Sequence, residues 1–314
     1  IAAGHRVVHG GLRYDRPALV SDAVLDDLRG LIPFAPLHQP HNIDGILGAR
    51  AAWPAAAQVA CFDTAFHHGH PFTSAAFGLP RRYFAAGVRR YGFHGLSYEY
   101  IASRLAEIAP DLAAGRVVVA HLGNGASMCA LHGGRSVAST MSFTALDGLP
   151  MGTRCGQLDP GAVLYMMAQE TRGAEEIQHI LYNESGLRGI SGVSHDMREL
   201  EASDRPEAAE AIAYFVHRIR YELGGLASVL GGLDGLVFCG GIGEHAAAVR
   251  QQVLTGLDWL GIEPDPAANQ AGAGTISTPR SRVRVLVVPT NEEAMIARHT
   301  MALIGESGAG SLPA

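Results

Sequence analysis

An α/β fold is predicted by two strand-turn-helix runs in the carboxy-terminal half and by a β-branched strand that follows an amphipathic helix. DGLVFCGGIGEHAAAVRQQVL, residues 234–254, reads as strand, glycine turn and helix, and RVRVLVVPTNEEAMIARHTMALI, residues 282–304, repeats that order. Alternation of this kind lays helices over a sheet. With 314 residues, 47% of them hydrophobic and only 17% charged, the chain can bury a core large enough for two lobes. No block recurs at a fixed period, which excludes a solenoid.

The elements follow in order. A short strand is expected over Arg6–His9, ended by a turn at Gly10 and Gly11. The first residues, IAAGHRVVHGG, carry no initiator Met and read as the middle of a domain, so an amino-terminal portion is expected to be missing. DAVLDDLRGLIPFA has helical periodicity, with Ser21 as cap and an end before Pro33. Gln58–Phe62 is an apolar strand that delivers Asp63. Residues 97–109 form an amphipathic helix capped by Ser97, and the breaks at Pro110 and Gly115 lead into the strand Arg116–His121. The loop after it, Gly123-Asn124-Gly125, is followed by ASMCALHGGRSVAST with its own Gly133-Gly134 turn, which predicts an antiparallel pair. Helix-rich blocks run over Asp159–Tyr182 and Pro206–Leu230.

Composition removes several functions. A net charge of −6 leaves no basic face for nucleic acid. All 24 basic residues are Arg, so a phosphate-loop lysine, a Schiff-base lysine and a Ser-Lys dyad are absent. Charge against phosphate must then come from Arg, His, backbone N–H or a metal. The four cysteines form no CxxC pair, and reduced, mostly buried thiols in a cytoplasmic protein are expected. There is no run of eighteen apolar residues, hence no membrane partner.

Several motifs leave alternatives open. GGIGEHA fits GxGxxA through Gly241, Gly243 and Ala246, but the turn-rich segment twenty residues on lacks the acidic strand end of a dinucleotide site. A nucleotide over the glycines and the helix start is one reading; a close helix-strand crossing that needs small residues is another. FHHGH, residues 66–70, suggests either a metal site or, in a Gly-Pro loop, surface imidazoles. His9, His38 and His41 fall in predicted turns as hydrogen-bonding loop residues. No GxSxG elbow occurs. YGFHGLS and MGTRCGQLDP set His94 and Arg154 between glycines that allow close backbone approach, and the bare Gly123 loop can form a nest of amides for phosphate oxygens.

Taken together, Arg6 in GHRVVHGG, Asp63 in FDTAFH, His94 in RRYGFHG, the HLGNG loop, Arg154 in GTRCG, GGIGE and PTNEE resemble the acetate kinase family of acyl phosphate-forming kinases, in order and across essentially the whole chain. The resemblance implies a two-lobed actin-like ATPase fold with RNase H-like domains, its first lobe incomplete. Residues 1–65 plus 292–314 would be the acetate-side remnant of the amino-terminal lobe, and 66–291 the nucleotide-binding lobe. It implies phosphoryl transfer from ATP to acetate. Arg6, Asp63, His94 and Arg154 would be catalytic, and Arg6, Val8, Leu37 and Pro150 would border acetate. His121, Leu122, Gly123, Asn124 and Gly125 would hold the β- and γ-phosphates, Asp196, Met197, Arg198, Gly241, Ile242, Gly243, Glu244 and His245 the adenosine side, and Glu292 a Mg2+ or Mn2+ ion. The family also implies a cytoplasmic homodimer that takes a small carboxylate and a nucleotide. Nothing in residues 1–20 matches the family's opening glycine-serine phosphate loop, so the chain is expected to bind nucleotide and turn over poorly. The rivals are a propionate or butyrate kinase, a non-catalytic nucleotide-binding module, and a sugar or glycerol kinase of the same superfamily.

Overall fold

Residues 1–309 are described in the computed structural model, and they build two sheets. Strands β1 (Ala2–Val7), β2 (Ala18–Leu19) and β3 (Ala57–Phe62) form one, in the order β1-β3-β2, with β1 and β3 parallel and Val7 opposite Phe62. Strands β4 (Arg116–Leu122), β5 (Ala126–His132), β6 (Arg135–Ser139), β7 (Gly235–Cys239) and β8 (Arg284–Val287) form the other, in the order β6-β5-β4-β7-β8. Strands β4 to β6 are an antiparallel meander, as the two glycine turns predict, whereas β4, β7 and β8 are parallel.

The first strand lies earlier than the predicted Arg6–His9. Beyond Val7 the amides leave the ladder for side chains, Val8 N–H donating to Asn42 Oδ1 and Gly10 N–H to Thr64 Oγ1. Helix α1 (Asp22–Gly30) starts at Ser21 as expected, with the hydroxyl accepting from Val24 N–H. Pro33 then sits in a separate 3-10 turn. Helix α2 (Gln39–Ala52) takes His41 into a helix rather than a turn, because Pro40 stands in its first turn, where its missing N–H costs nothing.

Helix α3 (Gly95–Ile108) begins two residues before the predicted cap. Its cap residue is His94 in the left-handed region, φ 57°, and Ser97 lies inside the helix with its hydroxyl directed at His121 and Thr290. The block after Asp159 divides into helix α4 (Pro160–Gln169), a shorter helix and a π turn at Ile180–Glu184. Helix α5 (Pro206–Leu230) matches its prediction to the residue. The glycines of GGIGEHA fall in helix α6 (Gly240–His245), which Gly240 opens with φ 76°, and α7 (Ala247–Leu254) follows. Helix α8 (Glu292–Ala309) closes the description, so residues 310–314 of the expected amino-terminal-lobe remnant lie outside the described residues.

Strand β4 is buried on both faces, which is why it reads as a continuous apolar run. Val118, Ala120 and Leu122 face Ile212, Phe215, Ile219 and Leu223 of α5. Val117 and Val119 face Tyr98, Ile101 and Leu105 of α3. Helix α8 covers β1 and β3 through Met295 and Ile296, packed with Val59, Cys61 and Leu96. Cys61, Cys129 and Cys239 are buried and Cys155 half-buried, all free. Among the described residues no helix is long and apolar enough to cross a membrane.

Candidate active site

Parallel pairing puts Arg6 opposite Cys61 in adjacent strands, and Asp63 N–H donates to Val7 O at 3.0 Å just past the end of β3. The Arg6 guanidinium therefore meets the Asp63 carboxylate, Nε donating at 3.0 Å and Nη2 at 2.7 Å to Oδ2. Its Nη1 faces Glu292 Oε2 at 3.4 Å from the first turn of α8. Asp63 is 1% exposed whereas the Arg6 side chain is 41% exposed, so one carboxylate is wholly committed and the cation still reaches the cleft. Attraction to Asp63 outweighs burial and raises the Arg6 pKa. Burial raises the Glu292 carboxyl, opposed by Arg6.

Facing this pair are His94, His121 and Arg154. The two imidazoles stack at 4.4 Å. Burial pushes His94 well below its ordinary value, with His121, Arg6 and Arg154 adding to the effect, and it lowers His121 to about 4, with Arg6 again assisting. Both rings are neutral at pH 7. Arg154 Nη1 is fixed on Ala145 O at 2.7 Å. A methyl group built on Gly125 would stand 3.0 Å from Arg154 Nη2 and 3.1 Å from His94 Nε2. Those two donors converge on the space the bare glycine leaves open.

The result is a cavity of about 240 Å3 walled by Arg6, Asp63, His94, Arg154 and Glu292, with His121 and Gly123–Gly125 on one side. A second cleft, about 470 Å3, adjoins it and is lined by Asp196, Met197, Arg198, Gly241, Ile242 and His245. Gly123 and Asn124 line both. The strand ends of β1, β3, β4, β7 and β8 thus open on one crevice, where ligands of open α/β sheets bind.

Some predicted residues point elsewhere. Leu37 and Pro150 do not line the cavity, Leu37 being exposed and Pro150 buried; Val8 does, and its apolar companions are Phe93 and Ala145. Leu122 offers backbone only, its side chain being in the core. Gly243 is buried against Ala120 O and Phe238, the close crossing that needs a small residue. Glu244 turns inward and accepts from Gly240 N–H and Thr290 N–H, which ties α6 to the loop before α8. Arg250, 1% exposed, holds the other end of α6 by donating to the carbonyls of Gly243 and Glu244. Sequence reading missed His38, Phe93 and Ala145 in the cavity and His195 and Glu201 in the cleft. Phe93 neighbours His94 and His195 neighbours Asp196, but His38, Ala145 and Glu201 carry no local signal.

The imidazoles of FHHGH are not all at the surface. His67 is 2% exposed, with Nε2 donating to Phe93 O and Nδ1 bonded to Ser136 Oγ, which also meets His70 Nε2. The group braces the turn before His94. Among the described residues no cluster of three or more His, Cys, Asp or Glu side chains is arranged to hold a metal ion. Asp63 is taken up by Arg6, whereas Glu292, at 3.4 Å from Arg6 Nη1, keeps some exposure, and one carboxylate suffices for a magnesium ion that keeps its waters and takes phosphate oxygens.

The buried imidazoles set an acid limit. Burial lowers His9 to about 4, His67 to about 3 with help from His70, and His121 to about 4, against 6.5 in an unfolded chain. Between pH 6.5 and about 4 the unfolded state binds more protons, so stability falls as pH falls, by on the order of 1.4 kcal/mol per pH unit for each ring. Urea midpoints are expected to drop steeply from pH 7 to 4.5. A flat profile would contradict the neutral burial of these rings.

Known proteins resemble this chain over most of its length. The acetokinase family model matches residues 1–298. An acetate kinase of Methylocella silvestris is 67% identical over 98% of this chain and 76% of its own length. One of Nitrobacter hamburgensis is 53% identical, with 99% and 77% covered. The crystal structure of Porphyromonas gingivalis acetate kinase superposes with a TM-score of 0.90 at 39% identity, covering 96% of this chain and 78% of that one. That of a propionate kinase from Francisella tularensis gives 0.92 at 38% identity, covering 96% and 79%. The fold is accordingly the actin-like ATPase type, and the chain belongs to the acetokinase family.

Proposed function

We propose that this chain catalyses the reversible transfer of a phosphoryl group from ATP to acetate, giving acetyl phosphate and ADP by direct in-line attack. One observation carries the reading: the cavity that holds Arg6 and Arg154 and the adjoining cleft share Gly123 and Asn124, so a phosphate over those amides is also within the reach of Arg6, His94 and Arg154. Acetate is ionised at pH 7 and needs no strong base. Its obstacle is the approach of an anion to a polyanion, which positioning and charge neutralisation overcome.

In this reading Arg154 and Arg6 flank acetate and the transferring phosphoryl group, and His94 donates to the phosphoryl oxygens. Asp63 orients Arg6 rather than taking a proton. Val8, Phe93 and Ala145 form the apolar wall for the acetate methyl. Gly123, Asn124 and Gly125 with His121 hold the phosphates, and Met197, Ile242 and His245 border the adenosine. Glu292 would hold a Mg2+ or Mn2+ ion with phosphate oxygens and water, and that ion when bound would offset phosphate charge. The packing of α8 on β1 and β3 supports a division into residues 1–65 with the carboxy-terminal helix, and 66–291. We infer a cytoplasmic setting from the free cysteines.

The test is hydroxamate trapping with acetate, propionate and butyrate. Acetate is expected to react fastest. A propionate preference is the second reading, favoured by the propionate kinase likeness, since one methylene discriminates by only about 1 to 3 kcal/mol. ATP binding with no hydroxamate from any acid would leave a nucleotide-binding module instead.

A homodimer is inferred as well. Helix α4 buries none of its residues, although Leu164, Tyr165 and Met167 lie on it and are exposed. Leu164→Glu with Tyr165→Glu is expected to convert a dimer to a monomer in sedimentation velocity; an unchanged mass would place the contact elsewhere.

A further inference from the structure

Behind His94 stands a hydrogen-bonded pair that the reaction itself does not use. Ser127, 0% exposed, follows the glycine loop on β5 opposite His121, and its Oγ is 2.8 Å from His94 Nδ1. The hydroxyl of Tyr98, one helical turn after His94 and also 0% exposed, makes a short hydrogen bond to the same Ser127 Oγ. Ser127 has one proton to give and two lone pairs to accept with, so three arrangements exist. If Tyr98 donates to Ser127, the serine proton points at His94 Nδ1 and the ring carries its own proton on Nε2. If the order is reversed, the phenol proton has no other hydrogen-bond acceptor among the described residues, and if Tyr98 and an Nδ1–H of His94 both donate to Ser127, the serine proton has none; either way a buried donor is left with its full desolvation cost. The first arrangement is the stable one.

The difference decides the sign of the interaction at the cleft. His94 Nε2 faces the space above Gly125. A neutral ring with N–H there attracts a phosphoryl oxygen, whereas a lone pair there repels it. We propose that Tyr98 and Ser127 are positioning residues that lock His94 as the Nε2–H tautomer, so that its ring meets the transferred phosphoryl group as a donor. The proposal rests on the phosphoryl-transfer reading for its purpose, though not for its geometry.

The experiment has two arms. In the first, imidazole 15N shifts are measured on the labelled full chain, with His94 assigned by its loss in His94→Gln. Protonated Nε2 and bare Nδ1 are expected, with a mixture of tautomers in Ser127→Ala. Protonated Nδ1 in the unaltered chain, or an unchanged tautomer in Ser127→Ala, would overturn the relay. In the second arm, Ser127→Ala is expected to lower kcat about tenfold, with KM for acetate and ATP within about twofold, the worth of one neutral hydrogen bond. Ser127→Thr, which keeps the hydroxyl, restores at least half of that loss. Equal losses in both variants would mean packing alone and would sink the positioning role. The spectrum is read without substrate, so a chain that phosphorylates no acid overturns the functional reading while the tautomer still decides the relay.

Discussion

Arg154→Ala is expected to lower kcat for acyl phosphate formation by about two to three orders of magnitude, the usual effect of removing one donor aimed at developing charge. The expectation comes from how this guanidinium is kept. Burial lowers its pKa, and it makes no ion pair with Asp or Glu among the described residues, unlike Arg6, which has two carboxylates beside it. Its fixed bond is to the Ala145 carbonyl, and Nη2 is left toward Gly125. A buried cation without an anion is costly to hold, so an arriving anion has most to gain there. Removing the side chain should therefore leave the urea midpoint unchanged or slightly raised while activity collapses. Arg154→Lys keeps the charge without the planar fork and should recover only part of the rate. Hydroxamate formation and urea unfolding on the same preparations check both halves. Activity within about threefold of the unaltered chain would remove Arg154 from the site.

How much of this was legible depended on how local each signal was. Strand β4, the Gly123 turn and the full span of α5 follow from alternation, glycine and 3.6-residue spacing, all contained in a short window. Arg6, Asp63, His94 and Arg154 are separate motifs to local reading and only the family resemblance joins them; physically their convergence depends on β1 pairing with β3 and on α3 crossing to β4. Reading failed where a partner lies far along the chain. Ser97 has the composition of a cap, but its hydroxyl serves His121, 24 residues on. His67 sits in a polar-looking loop, yet it is buried because Ser136, 69 residues on, answers its ring. The resemblance puts Leu37 and Pro150 at the acetate pocket, but neither lines the cavity, because a loop's direction is not set by its neighbours in sequence.

Gly95→Ala is expected to cost about 3 kcal/mol or more of stability, because the added methyl has nowhere to go. A Cβ at residue 95 would stand 2.1 Å from the Asp63 carbonyl oxygen and 3.0 Å from Phe66 Cβ. The obstruction is backbone, so no rotamer relieves it, and the Gly95 N–H bond to the same oxygen at 2.9 Å holds the two segments together. Relief requires moving the first turn of α3 away from the end of β3. That motion separates His94 from Asp63, so phosphoryl transfer should fall along with stability. Gly45→Ala makes the control: it lies within α2, nothing stands within 4 Å of its Cβ position, and alanine should stabilise the helix by about 0.5 to 1 kcal/mol. Thermal unfolding of the two variants should shift in opposite directions. If Gly95→Ala melts with the unaltered chain, the junction between α3 and β3 is looser than its geometry implies, and the convergence of His94 with the Arg6–Asp63 pair loses its structural cause.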